Sequence, residues 1–467
     1  MFDILLVNPN YGEELYSSNV VSLHSPLGLA YLAAYLNSKK IKANILEANA
    51  HGLSEDETVN KILKSDAKLV GIGAVTATIE IVFRLCKKIK EKDSSKIIIL
   101  GGVHPSSLPK ETLKRCSSID YIVIGEGEKI VYNLIKAIKK KKSVRNIKGI
   151  AFINKKGKFI QNPPEELIKD LDSLPFPARE LLPLELYRPG AEFDIGCKGK
   201  EFVEIITSRG CPNRCVYCSS TYFWKRIRMR GIENIFQEIK QLKNKGAKHF
   251  SFLDDTFTIS TNFVLDLCKK IKPLNLKWDC YVRVNNLTEK MIKSMKEAGC
   301  IGMRIGFESG NNEILERVKK NITTEQAERA MKFMKKYDIK TFGFFMVGLP
   351  GETKETIEDT IKFAIKLNPY FASFAITTPF PGTEMFEDYV KKKWLKKNID
   401  WNIMTLHNSE LTRTESLNPH EIFEYYKKAK RKFFLRPKYF ITIFGHMLKH
   451  PHEITNYSLR FIKKIML

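Results

Sequence analysis

FVEIITSRGCPNRCVYCSS, Phe202 to Ser220, decides how the chain is read. Its first seven residues form an apolar run of strand length and its last ten carry three cysteines. Cys211 and Cys215 are four apart, and Cys215 and Cys218 are three apart. Iron–sulfur clusters are bound by cysteine thiolates. Three thiolates on a four-iron cubane leave one iron open to an outside ligand. A structural zinc site is the alternative, but it takes four protein ligands. Cys197 lies before the strand, at the wrong end to be the fourth. Gly210 and Pro212 suit a loop that curls around a bulky centre.

Further along, KHFSFLD, LKWDCYVRV, GMRIGF, KTFGFFMVG and YFASFAITT read as buried strands separated by helical patterns. Six repeats are fewer than the eight of a closed barrel, so an open, partial (β/α)6 TIM-like barrel is expected over 201–385. The cysteines follow its first strand, on the C-terminal face where barrel active sites lie. Cys86, Cys116, Cys268, Cys280 and Cys300 fall in helix or strand patterns and read as small buried hydrophobes.

Upstream, DILLVN, KANILEA, KLVGIGA, KIIIL and DYIVIG alternate with helical stretches. That pattern predicts an α/β, doubly wound, Rossmann-like domain over 1–145. GIAFINKKGKFIQN reads as a hairpin turning at Lys155–Gly157, and the proline-punctuated stretch after it as a linker, together 146–200. Residues 386–467 turn helical and basic.

The chain has 467 residues, 78 basic against 52 acidic side chains and a net charge of +26. Nucleic acid, an anionic membrane surface and anionic substrates are all compatible with that balance, as is a set of solvated lysine-rich helix faces. No apolar run is long enough to span a bilayer. The start, MFDILLVNPN, reads as a first strand and not as a signal peptide. A cytoplasmic location is expected, with peripheral contact at the inner membrane face possible through the basic aromatic tail, KRKFFLRPKYFITIFGHMLKH.

The cysteine spacing, with Tyr217 before the last cysteine, resembles the signature of the radical S-adenosylmethionine (SAM) superfamily. The resemblance implies a [4Fe-4S] cluster on Cys211, Cys215 and Cys218 whose open iron binds SAM, and reductive cleavage of SAM to a 5′-deoxyadenosyl radical. Strand ends supply further expected SAM contacts: Asp254 and Asp255 after the second strand, Arg283 after the third, Glu308 and Ser309 after the fourth, and Gly348, with Glu352, after the fifth. Acids at such positions also cap helices.

In the first domain, SPLGLAYLAAYLNSK, GIGAVTATIE, LGGVHPSSLP and YIVIGEGE look like the cobalamin-binding domain that precedes many radical SAM cores. Ligands of doubly wound sheets bind outside the carboxyl ends of the strands. Gly73, Gly101, Gly102, Gly125 and Gly127 would let backbone approach a flat macrocycle, and Thr76, Thr78 and His104 would bond its amide side chains. Glu126 and Glu128 are expected to cap the next helix. There is no Asp-x-His-x-x-Gly stretch, so no histidine is expected on cobalt.

The combination implies an enzyme that methylates an unactivated carbon of a small-molecule or lipid substrate, with ring closure or a non-catalytic cobalamin or SAM carrier as alternatives. It also implies an electron donor such as flavodoxin or ferredoxin. A methylthiotransferase acting on tRNA would need three more cysteines in the first domain, where only Cys86 and Cys116 are found, so no nucleic-acid substrate is expected.

Overall fold

In the computed structural model, residues 2–11, 23–189, 197, 199–395 and 399–441 are described. Five parallel strands open the chain: β1 (Ile4–Asn8), β2 (Ala43–Glu47), β3 (Leu69–Gly73), β4 (Ile97–Gly101) and β5 (Tyr121–Val123). Their order, β2-β1-β3-β4-β5, is that of a doubly wound sheet. Every residue of β1 is buried, as a parallel strand covered on both faces requires. Two apolar clusters fill the two faces, one around Val7, Ile72 and Leu100, the other around Leu6, Ile99 and Leu134.

The hairpin β6 (Ile150–Ile153) and β7 (Phe159–Gln161) forms as expected, but it does not stand apart in a linker. Strand β6 pairs antiparallel with β5 and extends the sheet to seven strands. The proline-rich stretch after it runs through three short 3-10 turns and buries Leu171, Leu174, Ala178 and Leu182.

The second unit is an open sheet of six strands: β8 (Phe202–Ile205), β11 (His249–Phe252), β12 (Lys277–Val282), β13 (Cys300–Glu308), β14 (Lys340–Val347) and β15 (Phe371–Ile376). All neighbours are parallel and follow chain order, giving a partial barrel. Between β8 and β11, the two-residue strands β9 (Ser208–Arg209) and β10 (Arg228–Met229) pair with each other and close the base of the cysteine loop.

Past the barrel the chain turns back. Trp401 is fully buried in the first domain's core beside Val82 and Phe83. Helix Pro419–Phe434, capped by Asn418 with Glu421 reaching back, then packs on β15 and on helix Lys354–Leu367. Phe433, Phe434 and Tyr439 of the basic aromatic tail lie in the barrel core, and Arg436 stacks 3.9 Å over the Phe433 ring. Phe444 lies outside the described residues. Among the described residues, no helix is long and apolar enough to cross a membrane.

A buried polar network joins the two sheets. Arg209 donates to Glu126 at 2.7 Å and to Glu128 at 2.6 Å, and Arg228 donates to Glu126 at 2.7 Å. Glu126 stands at the start of helix Gly127–Lys139 without capping it through its side chain, which corrects the reading from sequence. Its second oxygen also accepts the Ile168 N–H at 2.8 Å. Nearby, Arg179 and Arg230 both donate to Glu238, at 2.6 and 2.5 Å. Glu204 accepts from Ser25 and pairs with His24.

Burial raises the Glu126 pKa, but Arg228 and Arg209 outweigh it and hold the carboxyl below its ordinary value. The pairing therefore stabilises above the usual carboxylate range and is lost as pH falls through the lowered value. Glu126→Leu leaves the buried Arg228 guanidinium without a carboxylate and Arg209 with Glu128 alone, and should destabilise the protein by about 3–5 kcal/mol. Adding Arg228→Met should recover part of that loss. Urea unfolding midpoints of the single and double variants check both outcomes.

Candidate functional site

Strand β8 ends at the mouth of the barrel, and the cysteine loop starts there. Gly210 has φ +95°, and a Cβ on it would come within 2.7 Å of the Arg226 carbonyl, so only glycine turns the chain here without strain. The loop is pinned on both sides of Val216, whose N–H donates to Val318 at 3.1 Å and whose carbonyl accepts from Met385 at 2.9 Å. Cys218 N–H closes a turn onto the Cys215 carbonyl at 3.0 Å. Cys215 is buried, while Cys211 and Cys218 are half-buried. Burial pushes the Cys218 thiol up to about 11, so a metal centre must displace its proton. Among the described residues, no group of three or more His, Cys, Asp or Glu side chains stands close enough together to hold a metal ion.

Tyr217 packs on Val216, Ile314, Val318 and Leu349, and burial, then the nearby Glu308 carboxylate, push its hydroxyl pKa well up. Arg283 reaches the loop, with Nη1 at 3.7 Å from Cys215 Sγ and Nη2 donating to the Lys320 carbonyl. Glu308 sits at a bulge of β13 with φ +63°, a region unfavourable for a residue with a Cβ, and accepts from Lys320 at 2.6 Å.

The two aspartates after β11 divide the work. Asp254 Oδ1 accepts from Thr207 N–H at 2.9 Å, from the Thr207 hydroxyl at 3.0 Å, and from both the N–H and the hydroxyl of Ser208. It ties the end of β8 to the end of β11. Its Oδ2 is buried with no hydrogen-bond partner among the described residues, and burial pushes the carboxyl up to about 6. Such an orphaned oxygen beside a cavity suits a donor from a ligand. The cavity, of about 370 Å³, is lined by His24, Leu253, Asp254, Asp255 and Tyr281. Asp255 is exposed to it and accepts from Ser220 at 2.6 Å.

A larger cavity of about 470 Å³ lies between the first-domain strand ends and the cysteine loop. Gly73, Gly101, Gly102, Gly125 and Gly127 line it. Gly102 has φ +107°, and a side chain there would collide with the Ala74 carbonyl. Glu126, Glu128 and Arg209 line it too, with Phe223 and Trp224 on the barrel side. A flat macrocycle fits such a glycine bed with mostly apolar walls.

Other expected contacts are turned elsewhere. His104 is buried against Trp401, ring centroids 4.9 Å apart, with Nδ1 at 3.2 Å from the Thr76 hydroxyl. Burial pushes its imidazole down to about 3, so it stays neutral. Thr78 bonds back to Val75 in its own turn. None of these three lines the larger cavity. Ser309 bonds Thr360 at 3.1 Å and Asn311 at 3.2 Å, which ties it to the neighbouring helix. The Gly348 and Leu349 N–H groups donate to Glu352, at 2.7 and 3.0 Å, so that glutamate braces its own turn.

Two groups were not singled out from sequence. Within the barrel, Asp279 pairs with His249 at 2.7 Å, accepts from Ser251 at 2.8 Å and pairs with Arg304, which lies 5.2 Å over the Tyr281 ring. At the domain junction stand Arg209 and Arg228. Alternation of inward positions along β11 to β13 could have flagged the first group; no local signal marks the second.

The Radical SAM superfamily model matches residues 205–364, and the B12 binding domain model matches residues 14–135. An uncharacterized methyltransferase of Pyrococcus horikoshii is 35% identical over 95% of this chain and 95% of its own length. This chain belongs to the B12-binding radical SAM family. The anaerobic magnesium-protoporphyrin IX monomethyl ester cyclase of Rubrivivax gelatinosus is 30% identical over 92% of this chain and 77% of its own length. In fold, the chain is similar to the radical SAM methyltransferase TsrM of Kitasatospora setae, solved with cobalamin and a [4Fe-4S] cluster (TM-score 0.68, 20% identity, 84% of this chain and 75% of that one). It is also similar to the cobalamin-dependent radical SAM enzyme OxsB with aqua-cobalamin and SAM bound (TM-score 0.74, 19% identity, 98% and 72%). It is a radical SAM enzyme, and its cofactors are a [4Fe-4S] cluster, SAM and cobalamin.

Two outcomes follow from this geometry. Replacing Cys211, Cys215 and Cys218 together by Ala should abolish the cluster's visible absorbance and SAM cleavage alike; stoichiometric zinc without acid-labile sulfide in the native protein would refute the cluster ligation. Burial pushes Glu352 up to about 8 from 4.5. The folded protein then holds a proton that the unfolded chain releases, so this group lowers stability as pH rises from about 4.5 to about 8. Glu352→Gln should flatten that slope in urea midpoints measured across the same range.

Proposed function

We propose that the chain is a cobalamin-dependent radical SAM methyltransferase acting on an unactivated carbon of an apolar small molecule. One observation carries the reading: Leu253 and Asp255 line both cavities, so the cobalamin bed and the SAM side meet at a shared wall. A substrate at that junction lies within reach of both cofactors. When bound, the cluster supplies the electron that splits SAM and cobalamin supplies a methyl carrier.

The chain's own residues have distinct tasks in this reading. Cys211, Cys215 and Cys218 hold the cluster, with Tyr217 packed behind the loop. Asp254 Oδ2 and Asp255 would hold the SAM amino group, and Arg283 and Glu308 hold the cysteine loop and its flank. Gly101, Gly102 and Gly125 make the bed for the corrin ring. Phe223, Trp224 and Leu253 keep water from the junction, so a reactive intermediate meets substrate before solvent.

Ring closure is the second reading, favoured by the 30% identity to the Rubrivivax cyclase. Products separate the two. The reconstituted enzyme, a strong reductant and SAM bearing a deuterated methyl group are mixed with fractionated apolar metabolites. Methylation predicts a product carrying the labelled methyl, with S-adenosylhomocysteine and 5′-deoxyadenosine formed together. Cyclisation predicts 5′-deoxyadenosine without S-adenosylhomocysteine and a product that has lost hydrogen.

A further inference from the structure

From Ser208 to Ile232 the chain carries six cations and no Asp or Glu. The structure sorts them into two sets of three. Arg209, Arg228 and Arg230 are buried, and Glu126, Glu128 and Glu238 neutralise them. Arg214, Lys225 and Arg226 are exposed, and among the described residues no acidic side chain pairs with them. The outward three belong to one patch of surface. Arg214 lies between Cys211 and Cys215, and the adjacent Asn213 carbonyl accepts from the Thr221 hydroxyl at 2.7 Å. The Arg226 backbone lies against Gly210, next to Cys211. Of two acids beside the loop, Glu384 pairs with Lys319, and Asp255 accepts from the Ser220 hydroxyl.

We propose that Arg214, Lys225 and Arg226 form the docking face for an acidic one-electron carrier protein of the flavin or iron–sulfur class. This rests on the radical SAM reading of the cysteine loop, which must receive one electron per SAM cleaved. Buried ion pairs fix the inner half of the loop. The outer half presents uncompensated positive charge around the half-buried Cys211, where a carrier's negative surface would be drawn in and its redox centre brought close. In the transfer, the carrier's flavin hydroquinone loses one electron and the oxidised cluster gains it; no bond changes hands. An anionic membrane is the competing occupant, but a flat bilayer holds no electron for a cluster at the centre of the patch.

The test uses the full-length, cluster-loaded protein, a flavodoxin as probe, and the variant Arg214→Glu/Lys225→Glu/Arg226→Glu. A control, Lys155→Glu/Lys156→Glu/Lys158→Glu, makes the same change in net charge at the turn of the edge hairpin. Iron and sulfide content and SAM cleavage driven by reduced methyl viologen establish that each protein carries a working cluster; failure of the wild type there would strike the parent reading and not this one. The patch variant should bind flavodoxin at least tenfold more weakly and be reduced by it at least tenfold more slowly, while viologen reduction stays within about twofold. The wild-type rate with flavodoxin should fall as salt rises, because the screening length shortens. The hairpin control should match wild type. Unchanged flavodoxin binding in the patch variant overturns the proposal. So does equal loss with both reductants, or loss of anionic-vesicle adsorption with flavodoxin binding intact.

Discussion

Arg209 and Arg228, sharing Glu126 and reaching Glu128, hold the first sheet against the mouth of the barrel. Removing four charges from water is costly, and only near-complete mutual pairing offsets it. Each member is therefore intolerant of losing the others. Arg209 stands two residues before Cys211, while the two glutamates line the larger cavity. A shift of the first domain would be felt directly at the cysteine loop. The two cavities are not independent pockets that happen to adjoin: Leu253 and Asp255 line both, and the ion pairs hold the larger one against the cysteine loop.

Strand positions, the partial barrel and the cysteine loop were legible in the sequence because each is a local pattern. Apolar runs bounded by helical stretches mark β1 to β5 and the six barrel strands, and the three-thiol spacing needs only eight residues to be seen. Long-range pairing was not legible. Glu126 has the sequence context of a helix cap, and nothing nearby says that arginines 83 and 102 residues away will claim it. The same holds for the hairpin, which looks like a joint until β6 finds β5. Among the candidate site residues, the glycines of the first domain reached the cavity because their place at strand ends dictates it. His104, Thr76 and Thr78 shared that neighbourhood but turned away: Trp401, over 290 residues later in the chain, packs on His104, Thr76 bonds His104, and Thr78 bonds its own turn.

The tail makes a similar point about amphipathic patterns. A basic aromatic helix reads equally well as one that lies on lipid and one that caps a barrel. Packing resolves it for the described part: Phe433 meets Phe374 of β15, and Lys428 and Lys432 pair with Glu358 on the neighbouring helix. Two of this helix's cations are thus spent on a single carboxylate of its neighbour.

The return of Trp401 to the first domain has a consequence for synthesis. The ribosome makes the opening sheet first, yet a slot in that sheet's core stays unfilled until the segment around Trp401 emerges. At roughly 5–20 residues per second, the delay after the hairpin is on the order of 10–50 s. For that interval the nascent first domain presents an apolar groove beside His104 and Phe83, and the barrel is made in its presence. The segment that seals the first domain is thus made only after all six barrel strands and just ahead of helix Pro419–Phe434, which completes the barrel core, so the two units finish folding together although one is translated well ahead of the other.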